Sequence, residues 1–428
     1  MSELNTGKYQ AYPEYKDSGS KWLDSIPSHW KVTFLKHVLS TPITDGPHST
    51  PVFIDEGIPF VSAEAVSGGY IDFDKIRGFI SKEDDAFFSQ KYSPKRHDVY
   101  MIKSGATTGI TAIVETDKHF NIWSPLAVMR CKNTYNPYFL LNSLRSDFFQ
   151  KSVQLSWTFG TQQNIGMGTL ENLTVCYPPL EEQIQITNFL DHETAKIDTL
   201  IEKQQQLIKL LKEKRQAVIS HAVTKGLNSQ APMKDSGVEW LGEVPEHWVV
   251  CRLKNALAIK NGRDYKQVEV ESGGYPVYGS GGVFKRSSKY LFDGSSVLFG
   301  RKGTIDKPLV VSGKFWTVDT MFYSEINTFH EAKYIYYQAS MFPFSLLSTS
   351  TALPSMTQED LLNLGFVSPP LTEQQEIVEY LKIKLDRFEV LISKVEQSII
   401  LSKERRTALI SAAVTGKIDV RNWEHPND

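Results

Sequence analysis

Two long stretches of the chain place apolar residues at heptad spacing, with no proline or glycine inside them. They occupy 180–225 and 371–415. Each follows a Pro-Pro pair, which suits a helix start because proline lacks the N–H that would be unpaired there. About 43 helical residues give a length of roughly 65 Å. The predicted heptad positions are Leu190, Ile197, Leu211 and Val218 with Leu200 and Leu207 in the first helix, and Leu381, Phe388, Val395 and Leu409 with Leu391 in the second.

Helices of this length need a partner of matching length to bury an apolar stripe. The other helix of the same chain is favoured, because covalent linkage raises its effective concentration. Since a globular segment separates the two helices along the chain, an antiparallel pair is the simplest arrangement, with one globular segment at each end. Assembly of several copies through these helices is the alternative.

Short apolar runs between glycine-rich turns precede each helix. They predict β-strands at 98–102, 112–114, 296–299 and 309–311, and helical patterns follow at 138–150 and 331–341. The predicted fold class is α+β, with two β-rich domains separated by two long antiparallel coiled-coil helices in a pseudo-twofold internal repeat.

An internal repeat underlies this organisation. The leader at 16–30 matches 234–248 at 9 of 15 positions, with a register shift of 218 residues. The helical stretches match with a shift of 191, and 212–225 shares 9 of 14 residues with 403–416. The segment between leader and helix is therefore 27 residues longer in the first copy. Matched flanks around divergent middles favour two segments with different roles; duplication followed by simple drift is the alternative.

The repeat predicts seven regions along the chain. They are a leader at 1–30, a first variable segment at 31–177, a helix region at 178–226, a repeated leader and linker at 227–248, a second variable segment at 249–368, a second helix region at 369–416 and a tail at 417–428.

Composition is that of a globular protein, with 41% hydrophobic and 22% charged residues. No apolar run is long enough for a transmembrane helix, and the polar N-terminus lacks the apolar core of a signal peptide. Cys131, Cys176 and Cys251 are isolated, which predicts neither a disulfide nor a zinc site and fits a reducing cytoplasm.

Charge gives little support to nucleic-acid binding at the level of the whole chain, whose net charge is −2. The second variable segment has 13 Lys and Arg against 10 Asp and Glu, whereas the first has 14 of each. A nucleic-acid surface would therefore be a local patch.

Polar loops rich in hydrogen-bond donors interrupt both variable segments. Lys, Arg, Ser and Thr contact phosphates, and Gln, Asn and Arg pair with base edges. Glycine lets the backbone approach a ligand, although glycine beside Ser or Thr is more often only a turn. The candidate DNA-binding residues are Thr44, His48, Lys103, Thr107, Thr108, Gln162, Gln163 and Asn164 in the first copy, and Lys260, Arg263, Ser280, Arg301, Lys302, Thr304 and Thr351 in the second.

Catalytic motifs are missing from the sequence. It contains no Gly-x-x-x-x-Gly-Lys-Ser/Thr phosphate loop, no Gly-x-Ser-x-Gly elbow and no His-Glu-x-x-His zinc motif. Residues 136–139 (NPYF) lack the second proline of an aminomethyltransferase loop and predict a helix start at Tyr138. His29 and His247 lie in the repeated leader, where packing is the favoured role. No catalytic or metal-binding residue is predicted.

Several short motifs accompany the repeated plan. They are PPLEEQ at 178–183, PPLTEQ at 369–374, LISAAVTGKI at 409–418, the two Trp-Leu…Pro…His-Trp leaders, and the loops DGPH at 45–48 with Pro51 and GTIDK at 303–307. On these motifs, the whole chain resembles the specificity subunits of type I restriction-modification systems. The two copies differ at TQQNIG (161–166) and TALPSM (351–356), which lie in comparable places, so base contacts do not transfer between copies.

This resemblance implies that each variable segment is a target recognition domain that reads one half of a split double-stranded DNA sequence. The helices would set the spacing and dock two methyltransferase subunits, and two motor-nuclease subunits would join for restriction. The chain itself would be non-catalytic and hold no cofactor, with S-adenosylmethionine, ATP and Mg expected in the partner subunits. A coiled-coil scaffold without DNA recognition, and an enzyme with an unrecognised site, are the alternatives.

Overall fold

A computed structural model describes residues 9–20, 23–159, 163–347 and 354–426. The chain divides into two compact units. Unit 1 comprises Met1–Gln205 with Gln397–Asp428, and unit 2 comprises Gln206–Glu396. Each unit contains one variable segment and part of each long helix.

The strands described in unit 1 form a leader hairpin, a pair that opens and closes the variable segment, a four-stranded sheet, a three-stranded sheet and a short hairpin. They are β1 (Tyr15–Ser20), β2 (Leu23–Pro27), β3 (Lys31–Phe34), β4 (Thr44–Asp45), β5 (Ile58–Val61), β6 (Gly78–Ile80), β7 (Val99–Ile102), β8 (Thr111–Ile113), β9 (Asn121–Ile122), β10 (Leu126–Met129), β11 (Thr158–Phe159), β12 (Gln163–Asn164) and β13 (Thr174–Tyr177). The helices are α1 (Leu35–Val38), α2 (Ala63–Val66), α3 (Lys82–Phe88), α4 (Pro137–Arg145), α5 (Asp147–Leu155), α6 (Met167–Glu171) and the long α7 (Leu180–Lys225), with a 3-10 turn at Phe73–Lys75.

The four-stranded sheet of unit 1 has the order β4-β10-β7-β8 and is antiparallel throughout. Strand β7 is covered on both faces, which explains its continuously apolar sequence. Val99 and Met101 join the core beneath α4 and α5, whereas Tyr100 and Ile102 join a second core with Phe120. In the three-stranded sheet, β5 pairs antiparallel with β6 and parallel with β9.

Unit 2 repeats this plan with different strands. They are β14 (Met233–Asp235), β15 (Glu243–Pro245), β16 (Val249–Arg252), β17 (Leu257–Asn261), β18 (Glu269–Val270), β19 (Tyr275–Gly279), β20 (Gly282–Ser287), β21 (Phe292–Asp293), β22 (Ser296–Gly300), β23 (Leu309–Val311), β24 (Lys314–Thr317), β25 (Met321–Ile326) and β26 (Gly365–Ser368). The helices are α8 (Ala332–Ala339), α9 (Phe344–Leu347), α10 (Gln358–Leu362) and the long α11 (Leu371–Val414), with a 3-10 turn at Leu253–Asn255.

The two variable segments share strand order although their sequences diverge. The sheet β17-β25-β22-β23 matches β4-β10-β7-β8, and the parallel pair β19–β24 matches β5–β9. Much of the extra length of the first copy lies between Gly46 and Lys103, which are 57 positions apart against 39 for Gly262 and Arg301. Helices α2 and α3 occupy this longer connection.

The long helices pack antiparallel in each unit, as predicted. In unit 1, Gln204 Nε2 donates to Ser398 Oγ at 2.6 Å, and Arg406 Nε donates to Asp198 Oδ1 at 2.9 Å. Residue numbers thus fall along α11 as they rise along α7. In unit 2, Ile219 and Val223 share a core with Ile377, Leu381 and Leu385.

The predicted second row of heptad positions is wrong. Leu200 and Leu391 are 47% and 48% exposed, and Leu207 is also exposed, whereas Ile201 is buried in the seam between the helices. Residues three and four positions after Ile197 are both apolar, so the pattern permits either seam. The seam contains Ile201, four residues after Ile197, and Leu200, three residues after it, therefore lies on the surface.

Two shorter helical predictions also need correction. The pattern at 138–150 forms two helices rather than one, because Ser146 breaks it and its Oγ accepts from Phe149 N–H to cap α5. Helix α4 begins at Pro137, one residue before the predicted start, with Asn136 Oδ1 as its cap. The pattern at 331–341 forms the shorter helix α8.

The repeated Glu-Gln at each helix start anchors the leader and the variable segment. His29 Nε2 lies 2.9 Å from Glu182 Oε2, and the equivalent pair His247 and Glu373 is 2.8 Å apart. The histidines thus pack against the helices, as expected. Buried Gln183 donates to Pro178 O at 2.9 Å and accepts from Asn136 N–H at 2.8 Å; Gln374 repeats these contacts with Pro369 and Glu331.

Candidate nucleic-acid interface

One end of each four-stranded sheet gathers the loops that contain most candidate DNA-binding residues. In the first segment, β4 ends at Asp45 and β7 ends at Ile102, at the same end of the sheet and on either side of β10. In the second segment, β17 ends at Asn261 and β22 ends at Gly300. The first residue after β7 and after β22 is held by the same kind of backbone hydrogen bond. Lys103 N–H donates to Pro125 O and Arg301 N–H donates to Thr320 O, each at 2.8 Å.

The same hydrogen bonds attach a second loop to this end of the sheet in both copies. Lys103 O accepts from Ile165 N–H at 2.9 Å, and Arg301 O accepts from Met356 N–H at 3.1 Å. Gly105 N–H donates to Gln163 O at 3.0 Å, and Gly303 N–H donates to Pro354 O at 2.8 Å. These bonds make Lys103 equivalent to Arg301, and Asn164 equivalent to Ser355.

A close backbone approach fixes the first loop in each copy. A Cβ atom added to Gly46 would lie 2.0 Å from Ile122 O, and one added to Gly262 would lie 1.9 Å from Val318 O. Only glycine fits such a contact. The residues before these glycines, Asp45 and Asn261, are therefore held at equivalent positions.

The first interface centres on a buried carboxylate. Asp45 is fully buried and contacts Lys91, Lys103 and His48; Lys103 Nζ lies 3.2 Å away and His48 Nε2 3.1 Å away. Burial raises the pKa of Asp45, but the ammonium groups of Lys91 and Lys103 outweigh it and leave that pKa below its ordinary value. Only 12% of the Lys103 side chain is exposed, so its charge is directed at Asp45 rather than at solvent.

The second interface is an open cleft of about 310 Å³, and none of the described residues in its lining is a carboxylate. Asn261 Oδ1 accepts a hydrogen bond from Gln358 Nε2 at 3.0 Å. Arg301 and Lys302 are exposed, and neither forms an ion pair with any described residue. The cleft is lined by Asn261, Arg301, Lys302, Phe322, Ser355, Met356, Thr357 and Gln358.

Other candidates of the first segment have local backbone roles. Thr44 lies in β4 opposite Val128. Thr108 Oγ1 donates to Gly105 O at 2.7 Å and thereby closes the turn that also contains Thr107. Gln163 is half-buried and Asn164 is exposed beside this turn. Gln162 lies outside the described residues.

In the second segment, the described candidates Lys260, Arg263, Ser280 and Thr304 lie outside the lining of the cleft. Lys260 Nζ is 3.7 Å from Glu325 Oε2, and Arg263 O accepts from the Trp316 indole N–H at 2.9 Å. Ser280 lies in the turn between β19 and β20, and the carbonyl of Thr304 packs against Gly300. Thr351 lies outside the described residues.

The sequence-based candidates do not include four residues that shape these interfaces. They are Asp45 and Lys91, which form an ion pair in the first, and Asn261 and Gln358, which are hydrogen-bonded in the second. The repeated Asp-Gly and Asn-Gly steps before the fixed glycines are the signal that could have found Asp45 and Asn261. Lys91 has no such signal, because its contact with Asp45 spans 46 residues.

In the part of the chain that the structure describes, no cluster of three or more His, Cys, Asp or Glu side chains is placed to bind a metal. None of the described helices has the length and apolar character needed to cross a bilayer. All three cysteines are free.

The model of the family described as "Type I restriction modification DNA specificity domain" matches the chain twice, at 27–210 and 245–399. The chain belongs to this family. It is similar to the putative type I restriction enzyme MjaX specificity subunit of Methanocaldococcus jannaschii, with 25% identity over 95% of this chain and 98% of that protein. It is also similar to the StySPI specificity subunit of Salmonella potsdam, with 21% identity over 87% and 85% of the two chains.

Solved structures share the fold. A chain from a study of complex assembly and conformational transition of the type I R-M system has a TM-score of 0.66, with 18% identity and coverage of 92% of this chain and 99% of that chain. The HsdS subunit from Thermoanaerobacter tengcongensis has a TM-score of 0.51, also with 18% identity, over 92% and 98%.

As a member of this family, the chain is a non-catalytic DNA-recognition subunit of a type I restriction-modification system. The interpretation as a coiled-coil scaffold without DNA recognition finds no support in these relatives.

Proposed function

We propose that the first variable segment reads one half of a bipartite DNA target at the Asp45 end of its sheet, and that the second reads the other half at the Asn261 cleft. One observation carries this proposal: two loop frames fixed by the same backbone hydrogen bonds present different side chains at equivalent positions. A common frame with different side chains suits the reading of different base edges.

Methylome sequencing of cells with and without this chain tests the proposal. The expected result is one split motif that is methylated only when the chain is present. Footprinting with the partner methyltransferase should then protect two patches on a duplex that contains this motif. A continuous motif, or a motif that persists without the chain, would contradict bipartite reading.

The exposed leucines of the long helices support a docking role for these helices. Leu200 and Leu391 are equivalent in the repeat and are 47% and 48% exposed. Leu210 and Leu401 are likewise equivalent, at 59% and 61%. Unit 1 thus has one member of each equivalent pair, Leu200 and Leu401, and unit 2 has the other, Leu210 and Leu391. Exposed apolar patches mark protein interaction sites. We infer that the two leucines of each unit contact one methyltransferase subunit, which gives two methyltransferase subunits per chain.

Substitution of the repeated leucines tests this stoichiometry. Leu200→Glu should weaken one methyltransferase site by about 100-fold, because a carboxylate would be buried without a partner. Leu391→Glu should weaken the other site, and the double variant should bind neither subunit. Native mass spectrometry of the purified complexes should show two methyltransferase subunits on the wild-type chain, one on each single variant and none on the double variant.

A charge-matched control is available on the same helix. Gln205→Glu adds the same charge five residues after Leu200, about 140° around the helix from it, and should retain both subunits. Retention of two subunits by the double leucine variant would place the docking surface elsewhere.

The remaining chemistry is assigned to the partners. We infer that S-adenosylmethionine binds the methyltransferase subunits, and that ATP and Mg bind two motor-nuclease subunits that join for restriction. The chain contributes recognition and spacing and holds no cofactor of its own. Its unpaired cysteines support function in the reducing cytoplasm.

A further inference from the structure

The two interfaces differ most in how their cations are partnered. Lys103 and Arg301 follow equivalent strands and are fixed by equivalent backbone bonds. In the first interface, a buried carboxylate lies beside the lysine. In the second interface, the equivalent position holds the neutral amide of Asn261.

The consequence for charge is direct. The carboxylate of Asp45 contacts the ammonium groups of Lys91 and Lys103 as well as His48, and its buried negative charge offsets one of the two lysine charges. Arg301 and Lys302 are exposed beside Asn261, with no ion pair to the described residues. The segment totals agree with the local picture, since the first variable segment is neutral and the second has a net charge of +3.

Phosphate contacts supply affinity that does not depend on sequence, and each one adds about 0.9 to the slope of log affinity against log salt. A lysine held by a buried carboxylate adds little to that slope. Each of two exposed cations at the mouth of a cleft adds nearly 1 to the slope when it contacts a phosphate.

We propose that Asp45 is a specificity-determining residue, which keeps Lys91 and Lys103 from binding phosphates so that the first half-site is selected by base contacts, while Arg301 and Lys302 supply the phosphate affinity at the second. This inference rests on the proposed bipartite reading. It predicts unequal halves, with the second half-site contributing most of the salt-dependent affinity.

Exchange of the two equivalent residues is the decisive experiment. The complex with methyltransferase is titrated into a labelled duplex that contains the motif found by methylome sequencing. Its affinity is measured by fluorescence anisotropy at salt concentrations from 50 to 200 mM. Duplexes with either half scrambled, or with both scrambled, are titrated in parallel. Asp45→Asn should steepen the salt slope by about 1 to 2, because two lysines become available. It should also raise affinity for the fully scrambled duplex at 50 mM salt several-fold.

The reciprocal change should act in the opposite direction. Asn261→Asp puts a carboxylate in the cleft with Arg301 and Lys302, and should flatten the slope by about 1. That change equals about a three- to fourfold affinity difference across this salt range. Arg301→Gln should flatten the slope by a similar amount. Asn261 is exposed, so this variant tests the inference even if Asp45→Asn does not fold.

Matched controls lie at the opposite end of each sheet. Asp117→Asn releases Arg96, its partner at 3.1 Å, with the same change in net charge as Asp45→Asn. Lys333→Gln removes an exposed cation beyond the far end of β25. Neither control should alter the salt slope.

Failure of the Asp45 role and failure of bipartite reading give different results. If folded Asp45→Asn and Asn261→Asp complexes keep the wild-type slope, or if the controls shift it equally, Asp45 has no such role although bipartite reading stands. If the wild-type complex binds the motif and the scrambled duplexes equally, the proposed function fails and this inference fails with it.

Discussion

Replacement of residues 31–177 by the variable segment of another specificity subunit should change one half of the methylated motif completely and leave the other half unchanged. The fold makes this exchange feasible. Strand β3 pairs antiparallel with β13, and Lys31 lies opposite Tyr177, so both junctions of the graft are neighbours. The donor segment must supply a matching strand pair and core residues that pack against the long helices, and methylome sequencing reads the result.

The second copy provides the control for this exchange. Val249 lies opposite Ser368 in the pair β16–β26, so residues 249–368 can be replaced in the same way. That graft should change the other half of the motif. A graft that altered both halves, or neither, would show that the segments do not read DNA independently.

Lengthening both long helices by seven residues should widen the gap between the half-sites by about three base pairs. Seven residues form one heptad and preserve the seam, and at 1.5 Å per residue they add roughly 10 Å. The duplex rises about 3.4 Å per base pair. The insertions belong at Gln204 and Ser398, which face each other across the seam. The methylated motif should keep both halves and change only its gap.

Insertion into one helix alone is the informative control. A heptad after Gln204 without its counterpart shifts α7 past an unchanged α11 by one repeat. It should abolish methylation because the contacts that the two helices make beyond the insertion no longer line up, even though the apolar rows still face each other. An unchanged gap in the double insertion, with methylation retained, would mean that the helices do not set the spacing.

The long helices and the antiparallel pairing could be predicted from the sequence because they depend on repeated local signals. A Pro-Pro-Leu start, a stretch free of glycine and proline, and a closing glycine occur twice. The seam could not be resolved in this way. Apolar residues stand at both Leu200 and Ile201, and the choice between them depends on what packs across the helix pair.

The interface was less predictable, since its charges are set by contacts that are distant in the chain. Lys103 has the sequence features of a phosphate ligand, but its position beside a carboxylate 58 residues away follows only from the pairing of β4, β10 and β7. The equivalent Arg301 has the same sequence features and is exposed. Loop composition alone cannot distinguish these two environments.

The exposed leucines have a consequence for how the chain must be produced. Leu200, Leu210, Leu391 and Leu401 stay uncovered while no partner is bound, and uncovered apolar surface of this kind favours aggregation. Chain synthesised in excess over the methyltransferase would therefore remain unbound and be lost to aggregation. Translation of the two polypeptides in matched amounts, with the methyltransferase made first, would keep the chain soluble from the moment it folds.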